Sequence, residues 1–140
     1  MKKRRKVSES KSLMKEHAWK QFSLFIRNRG SVNGINRCVT CGDFRNIKEL
    51  QAGHFVPGRG NGVLFDERNC WPQDYVCNVR KHGNLLPYYD FMEEKFGKEI
   101  IAELRTLAKI PKQMRHSDYE EIYNKYKALN AKSSLHDKFE

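Results

Sequence analysis

The sequence is poor in acidic residues and contains no long apolar run. It has 17 Asp and Glu against 27 Lys and Arg, which gives a formal net charge of +10. Such an excess disfavours a protein that binds small neutral ligands and favours a polyanionic partner such as nucleic acid. No window approaches the roughly 18 apolar residues that a membrane-spanning helix needs. We therefore expect no membrane partner.

Cysteine is scarce, with four residues in 140, and the N-terminus does not have the pattern of an export signal. The basic start Met1–Lys6 is followed by polar Ser8–Lys11, where a signal peptide would place its apolar stretch. We expect a cytoplasmic protein. In that reducing compartment the cysteines are expected to be metal ligands or buried thiols rather than disulfides.

Length and periodicity predict one α+β domain with appendages. Residues 1–10 are basic and polar and are predicted to form a disordered arm. Apolar residues at three- and four-residue steps predict a helix over 11–29, ending before Gly30. Similar spacing predicts two or three helices over 85–132, separated at Gly97 and Pro111, with a capping box from Ser117 before the last one. Residues 133–140 are expected to fray. The predicted domain spans 11–132.

The middle of the chain is predicted to hold a compact core over 36–84. Leu50–Val56 has the pattern of a short strand, and Val63–Phe65 is predicted to pair with it as a hairpin. A short helix is expected from about Asp74 to Lys81, ending before Gly83. The order is strand, strand, helix.

Cys38 and Cys41 are separated by two residues, and Gly42 follows them, which is typical of half of a tetrahedral zinc site. The other half can come from Cys70, Asp74, Cys77 or a histidine. The pair Asp74 and Cys77 repeats the two-residue gap. A small core that needs additional stabilisation also favours a structural metal.

His54 is the second feature with possible chemistry. It lies in the first predicted strand, and a lone strand histidine is more often structural than catalytic. Here Asn69, Asn78 and Lys81 follow it, with the second metal half-site between the asparagines. This order is the skeleton of a ββα-metal nuclease of the HNH type.

Taken together, these motifs closely resemble the NinG family of phage recombination proteins, also called Rap. The resemblance covers roughly residues 19 to 97. It is carried by Cys38–Gly42, Gln51–Phe55, Asn69–Gln73, Cys77–Asn78 and Gly83–Leu85. The resemblance implies a zinc-stapled ββα-metal core with flanking helices. It also implies a metal-dependent endonuclease acting on branched DNA, such as Holliday junctions or D-loops, in the host cytoplasm if the chain is phage-encoded.

Phosphodiester hydrolysis needs a base, a cation and groups that position the backbone. Within the resemblance His54 is expected to be the base, because a neutral imidazole can accept a proton near pH 7. Asn78 would bind catalytic Mg²⁺ or Mn²⁺ through its carbonyl oxygen. Asn69 would orient the loop that carries His54.

The expected DNA contacts are Arg59, Arg80 and Lys81, although a single cation in so basic a chain is more often simply solvated. Trp71 can stack on an unpaired base or belong to the core, and the core is favoured. Symmetric cleavage of a junction needs two active sites, so a homodimer is an expectation from mechanism. The apolar residues of the predicted segment around Ile100–Leu107 are its candidate surface.

Two positions depart from the family and its relatives. Asp74 stands where the family usually has cysteine, so the structural zinc site becomes Cys38, Cys41, Asp74 and Cys77, with Cys70 as the alternative fourth ligand. Gly53 stands where many HNH enzymes carry a metal-binding aspartate. These departures keep open a zinc-stabilised nucleic-acid-binding module without nuclease activity. An RNA-binding or transcription-associated accessory protein is a third alternative, because the basic arm and the aromatic residues fit RNA equally well.

Overall fold

The structure is a computed structural model that describes residues 10–57 and 60–137. It is a mixed α+β fold with two small antiparallel sheets, β1–β2 and β3–β4. In chain order the elements are α1 (Lys11–Asn28), β1 (Ile35–Arg37), β2 (Phe44–Asn46), β3 (Leu50–His54), β4 (Cys70–Asp74), a helical turn (Val76–Arg80), α2 (Leu85–Phe96), α3 (Lys98–Lys109) and α4 (His116–Asp137).

Contacts divide the chain into two compact units. One is Ser23–Gln113, and the other joins the residues up to Phe22 with those from Met114 onward. The predicted single domain over 11–132 stays a prediction. The predicted arm lies outside the described residues, except for Ser10.

The predicted first helix is observed as α1. Met14, Ala18, Phe22 and Ile26 recur every four residues, and all four are buried, as an amphipathic helix requires. The chain turns after the helix at Gly30, whose φ of +82° is readily adopted only by glycine.

Helix α4 differs at both ends from the prediction. It begins at His116, and the Arg115 amide donates to the Asp118 carboxylate at 2.7 Å. The expected capping box at Ser117 is therefore not the start of the helix. At the other end α4 continues to Asp137, so the frayed tail expected from 133 is helical for its first residues. Residues 138–140 lie outside the described part.

The hairpin that carries His54 has a different second strand from the one predicted. β3 pairs with β4, with Leu50 opposite Asp74 and His54 opposite Cys70. The predicted strand Val63–Phe65 is wrong, because this stretch lies in the loop and Val63 packs into the core with no exposed surface. Pro72 makes β4 difficult to predict, because proline is uncommon inside strands. It is tolerated here because each strand of a two-stranded sheet has an outer edge, where no amide has to donate to a neighbouring strand.

The main core of the Ser23–Gln113 unit lies between the loop after β3 and helices α2 and α3. Its buried members are Phe55, Val63, Tyr88, Met92, Ile101 and Leu104. Gly97, with φ of +86°, separates α2 from α3 as predicted. Because Ile101 and Leu104 are buried in this core, they do not form the exposed surface expected for a dimer. The homodimer itself stays a prediction.

No helix in the part of the chain that the structure covers is both long and apolar enough to cross a membrane.

Candidate functional site

The four predicted zinc ligands lie together. One ligand atom from each of Cys38, Cys41, Asp74 and Cys77 lies within 4.8 Å of the others. A tetrahedral zinc site with Zn–S bonds near 2.3 Å has edges of about 3.8 Å, so the cluster needs only a small contraction around an ion. Three thiols and a carboxylate fit zinc by donor type. This cluster could hold a metal ion such as zinc.

Backbone geometry brings the two halves of the cluster together. Cys38 and Cys41 lie in the tight turn between β1 and β2, where the Gly42 amide donates to the Cys38 carbonyl at 2.9 Å. Gly42 has φ of +84°, a value that favours glycine. Asp74 is the last residue of β4, and Cys77 lies in the helical turn that follows.

Asp74 is held as a carboxylate. Burial alone would raise its pKa, but hydrogen bonds from the Cys77 amide at 2.8 Å and the Cys41 thiol at 3.0 Å lower it below its ordinary value. The guanidinium of Arg45 lies 4.0 Å away and acts in the same direction. The charge and position of Asp74 therefore suit a metal ligand.

The three thiols differ in their ease of ionisation. Burial opposes ionisation of Cys38, but hydrogen bonds from Thr40 and nearby amides lower its pKa overall. Burial raises the pKa of Cys41 and of Cys77, and the neighbouring Cys38 raises both further. A cation among them would offset this mutual repulsion and favour all three thiolates.

Cys70, the alternative fourth ligand, is not part of the cluster. It is fully buried at the start of β4, opposite His54. Burial raises the pKa of its thiol, so it stays neutral and packs as a small apolar side chain.

His54 ends β3, and its ring has a defined hydrogen bond. Nε2 lies 2.9 Å from the Leu64 carbonyl oxygen. A carbonyl only accepts hydrogen bonds, so Nε2 carries the proton and the lone pair of the neutral ring lies on Nδ1. Burial lowers the pKa of His54, with the Leu64 bond as a smaller opposing effect. The ring is therefore neutral near pH 7.

Asn69 fixes the chain just after His54. Its Oδ1 accepts from the Val56 amide and its Nδ2 donates to the Val56 carbonyl, both at 2.8 Å. The Phe55 amide also donates to the Asn69 carbonyl at 2.9 Å. Asn69 is completely buried. These bonds are the kind that an orienting residue needs, and the orienting role of Asn69 stays a prediction.

Asn78 lies in the turn after β4, which is π-helical: the Lys81 amide donates to the Val76 carbonyl five residues earlier, at 2.8 Å. The Nδ2 of Asn78 donates to Gln51 Oε1 at 2.7 Å. This bond ties Asn78 to the strand that ends in His54 and commits Nδ2 as a donor. Binding of a metal ion by Oδ1 stays a prediction. Sequence reasoning missed Gln51, because its partner is known only once the turn is placed.

Gln73 is a further residue that sequence reasoning missed, and it accounts for Gly53. Its side chain is fully buried, and Nε2 donates to the Gly83 carbonyl at 2.8 Å and to Thr40 Oγ1 at 3.1 Å. Its Oε1 would lie 1.9 Å from a β-carbon at position 53. The Gln73 amide thus occupies the space that an aspartate at 53 would need. The only signal in the sequence is a glutamine within a buried strand.

The predicted DNA-binding cations fall into two groups. Arg80 and Lys81 are exposed around the end of the helical turn, close in sequence to Asn78. Arg59 lies outside the described residues. Contact of any of the three with DNA stays a prediction.

Trp71 is partly buried and packs against the main core. The Arg29 guanidinium lies 3.8 Å and the Lys95 ammonium 4.7 Å from the centre of its ring system. The indole Nε1 donates to the Arg68 carbonyl at 2.9 Å, and Phe91 packs against the ring. These contacts favour the structural interpretation of Trp71 over base stacking.

Comparison with known proteins assigns the family. The family model described as Bacteriophage Lambda NinG protein matches residues 1–135. The chain belongs to the NinG family. It is 34% identical over 70 residues to Protein ninG of Escherichia phage 933W and to that of Salmonella phage P22, and 33% identical to that of Escherichia phage lambda. In each case the match covers 49% of this chain and 34% of the relative. No solved structure matches the chain.

Proposed function

We propose that this NinG-family chain is a metal-dependent DNA endonuclease that acts on branched recombination intermediates. The observation that carries the proposal is the linkage of His54, Asn69 and Asn78 through one hairpin and its following turn. Asn69 binds the backbone next to His54, and Asn78 is bonded to the same strand through Gln51. These contacts support the proposal because they hold all three residues on one hairpin and the turn that follows it.

His54 has the properties of a general base. With Nε2–H donated to Leu64, the ring presents its basic lone pair at Nδ1, and burial keeps it neutral. A neutral imidazole at this position can accept the proton of an attacking water. Because Asn69 holds Val56, the chain directly after His54 is fixed and the ring keeps its orientation.

Asn78 would hold the catalytic cation. Its amide oxygen is a hard donor of the kind that Mg²⁺ and Mn²⁺ accept, and Mg²⁺ usually retains several waters besides one or two protein ligands. When bound, such a cation would neutralise the charge that develops on the phosphate. The hydrogen bond from Nδ2 to Gln51 orients the Asn78 amide before any ion binds.

A zinc-stabilised nucleic-acid-binding module without nuclease activity is the second candidate. It is favoured by Gly53, where the buried Gln73 amide takes the space of a carboxylate side chain. The cysteine cluster and the net charge of +10 fit this alternative equally well.

Cleavage of a labelled four-way junction and of a matched linear duplex, with and without added Mg²⁺, separates the two functions. The endonuclease is expected to cut the junction only with Mg²⁺. His54→Ala should lower the rate by roughly two or more orders of magnitude while junction binding persists. His116→Gln, at a half-exposed histidine in the other unit, is the control and should cut normally. Junction binding without Mg²⁺-dependent cutting would support the binding module.

A further inference from the structure

Two leucines at the start of α2 project beside the segment that follows His54. The exposed fraction is 52% for Leu85 and 85% for Leu86. Together with Phe55–Pro57, Tyr89 and Arg105 they line an open cavity of about 340 Å³. An exposed apolar surface of this kind, next to a candidate active site, indicates an interaction surface.

The position of these leucines relative to His54 is fixed by hydrogen bonds. The Tyr88 hydroxyl donates to the Gly53 carbonyl at 2.5 Å, which attaches α2 to the strand that ends in His54. Val56 also lines the cavity, and its amide and carbonyl are both bound by Asn69. Whatever occupies the cavity therefore lies against the segment that directly follows the candidate catalytic histidine.

The chemistry of the cavity fits an unstacked nucleobase. Its walls are aliphatic and aromatic, and among the described residues the charged side chain that lines it is Arg105, whose guanidinium lies 5.8 Å from the ring centres of Phe55 and Tyr89. A base offers apolar faces, and the attached phosphate is complementary to a guanidinium. Arg80 and Lys81, a few residues before Leu85 in the sequence, are exposed cations as well.

We propose that Leu85 and Leu86 form a wedge that enters a DNA branch point, and that the cavity behind them receives a base displaced from the stack. This inference rests on the proposed function, and in it the two leucines are the feature that selects branched DNA. Bases at a branch point have lost part of their stacking, so displacing one costs less there than within a continuous duplex, where unstacking costs a few kcal/mol per step. Aliphatic side chains such as leucine insert between bases in this way in other DNA-binding proteins.

The test uses a four-way junction with 2-aminopurine at the branch point, in buffer without magnesium so that the DNA stays intact. Wild-type protein is expected to raise the 2-aminopurine fluorescence, because the base leaves the stack. Leu86→Ser should lose most of this rise and should retain its melting temperature, since the side chain is exposed. Val32→Ser is the matched control, at an apolar residue that is 70% exposed elsewhere, and should keep the full rise.

The possible failures of the two proposals are distinguishable. If wild-type protein cuts the junction with Mg²⁺ but Leu86→Ser shows the full fluorescence rise, the wedge is wrong and the endonuclease stands. If wild-type protein raises the fluorescence but never cuts, the wedge stands and the endonuclease is wrong. A dimer in light scattering that Leu86→Ser dissociates, with unchanged fluorescence, would make this surface a contact between copies of the chain and overturn the wedge.

Discussion

Replacement of Gly53 by alanine tests whether the buried Gln73 amide determines the residue that precedes His54. The new β-carbon would lie 1.9 Å from Gln73 Oε1 and 2.7 Å from its Cδ. Real β-carbons essentially never approach another atom within 3.0 Å, so the Gln73 side chain must move. It is fully buried and holds two hydrogen bonds through Nε2, so we expect the movement to break them.

The cost follows from those contacts. Displacing Gln73 breaks its hydrogen bonds to the Gly83 carbonyl and to Thr40 Oγ1, at about 1 kcal/mol each, and leaves a buried polar group unsatisfied at a further 1–3 kcal/mol or so. Gly53→Ala is therefore expected to lower the free energy of unfolding by about 3–5 kcal/mol. Since whole domains are stable by only about 5–15 kcal/mol, this loss is large.

A double-mutant cycle measured by urea denaturation isolates the contact. Gln73→Ala removes the colliding amide, so Gly53→Ala should cost little in that background, with a coupling energy of about 3 kcal/mol. Gly60→Ala is the control, because its β-carbon would meet nothing closer than 3.6 Å, and it should change stability by less than about 1 kcal/mol. Additive effects of Gly53→Ala and Gln73→Ala would refute the steric argument.

The remaining predictions concern the metal, the base and the charge. Asp74→Ala should lower the zinc content of the protein, Asp74→Cys should raise its zinc affinity, and Cys70→Ser should keep one zinc per chain. Loss of zinc in Cys70→Ser with retention in Asp74→Ala would instead make Cys70 the fourth ligand. Because the pKa of His54 lies below its ordinary 6.5, the cleavage rate should stay level as pH falls to 6.5 and decline only below it, and an earlier decline would argue against His54 as the base. The His54 contribution to stability should likewise fall as pH drops from about 6.5 toward the lowered pKa, which urea denaturation across pH can measure. Deleting Lys2–Lys6 should flatten the dependence of log affinity on log salt by roughly 0.9 per lost duplex phosphate contact, and an unchanged slope would exclude the arm as a DNA contact.

The helices could be predicted because their signal is local. In α1 the four-residue spacing from Met14 to Ile26 survives as a buried stripe, and Gly97 and Pro111 mark real helix ends. The β3–β4 pairing could not be predicted in the same way. Val63–Phe65 has a stronger strand propensity than Cys70–Asp74. In the structure Val63 instead packs into the core as a single buried side chain of a loop, and this tertiary contact cannot be inferred from the local sequence.

In the candidate site, too, the features that depend on local sequence could be predicted, and those that depend on contacts between distant segments could not. The paired two-residue gaps that end at Cys41 and Cys77 are visible in the sequence, because two ligands on one turn are necessarily close. The roles of Gln51 and Gln73 are not visible. Gln51 is recognised by its hydrogen bond from Asn78, and Gln73 by its close approach to Gly53. Both contacts depend on the register between β3 and β4, two strands that are separated in the sequence. For the same reason the sequence indicates only that Gly53 replaces a metal ligand, whereas the structure shows that Gln73 leaves no space for a side chain at that position.

The candidate metal ligands Asp74 and Cys77 share β4 and its following turn with the candidate catalytic residues. β4 begins opposite His54 and ends at Asp74, while Cys77 and Asn78 are adjacent residues of the π-helical turn. A π-helical turn is a rare geometry, and here the Cys77 amide near its start donates to the Asp74 carboxylate. An ion shared by Asp74 and Cys77 would hold the turn in the conformation that directs Asn78 toward Gln51. If the proposed endonuclease activity holds, a structural zinc would therefore support it by placing Asn78.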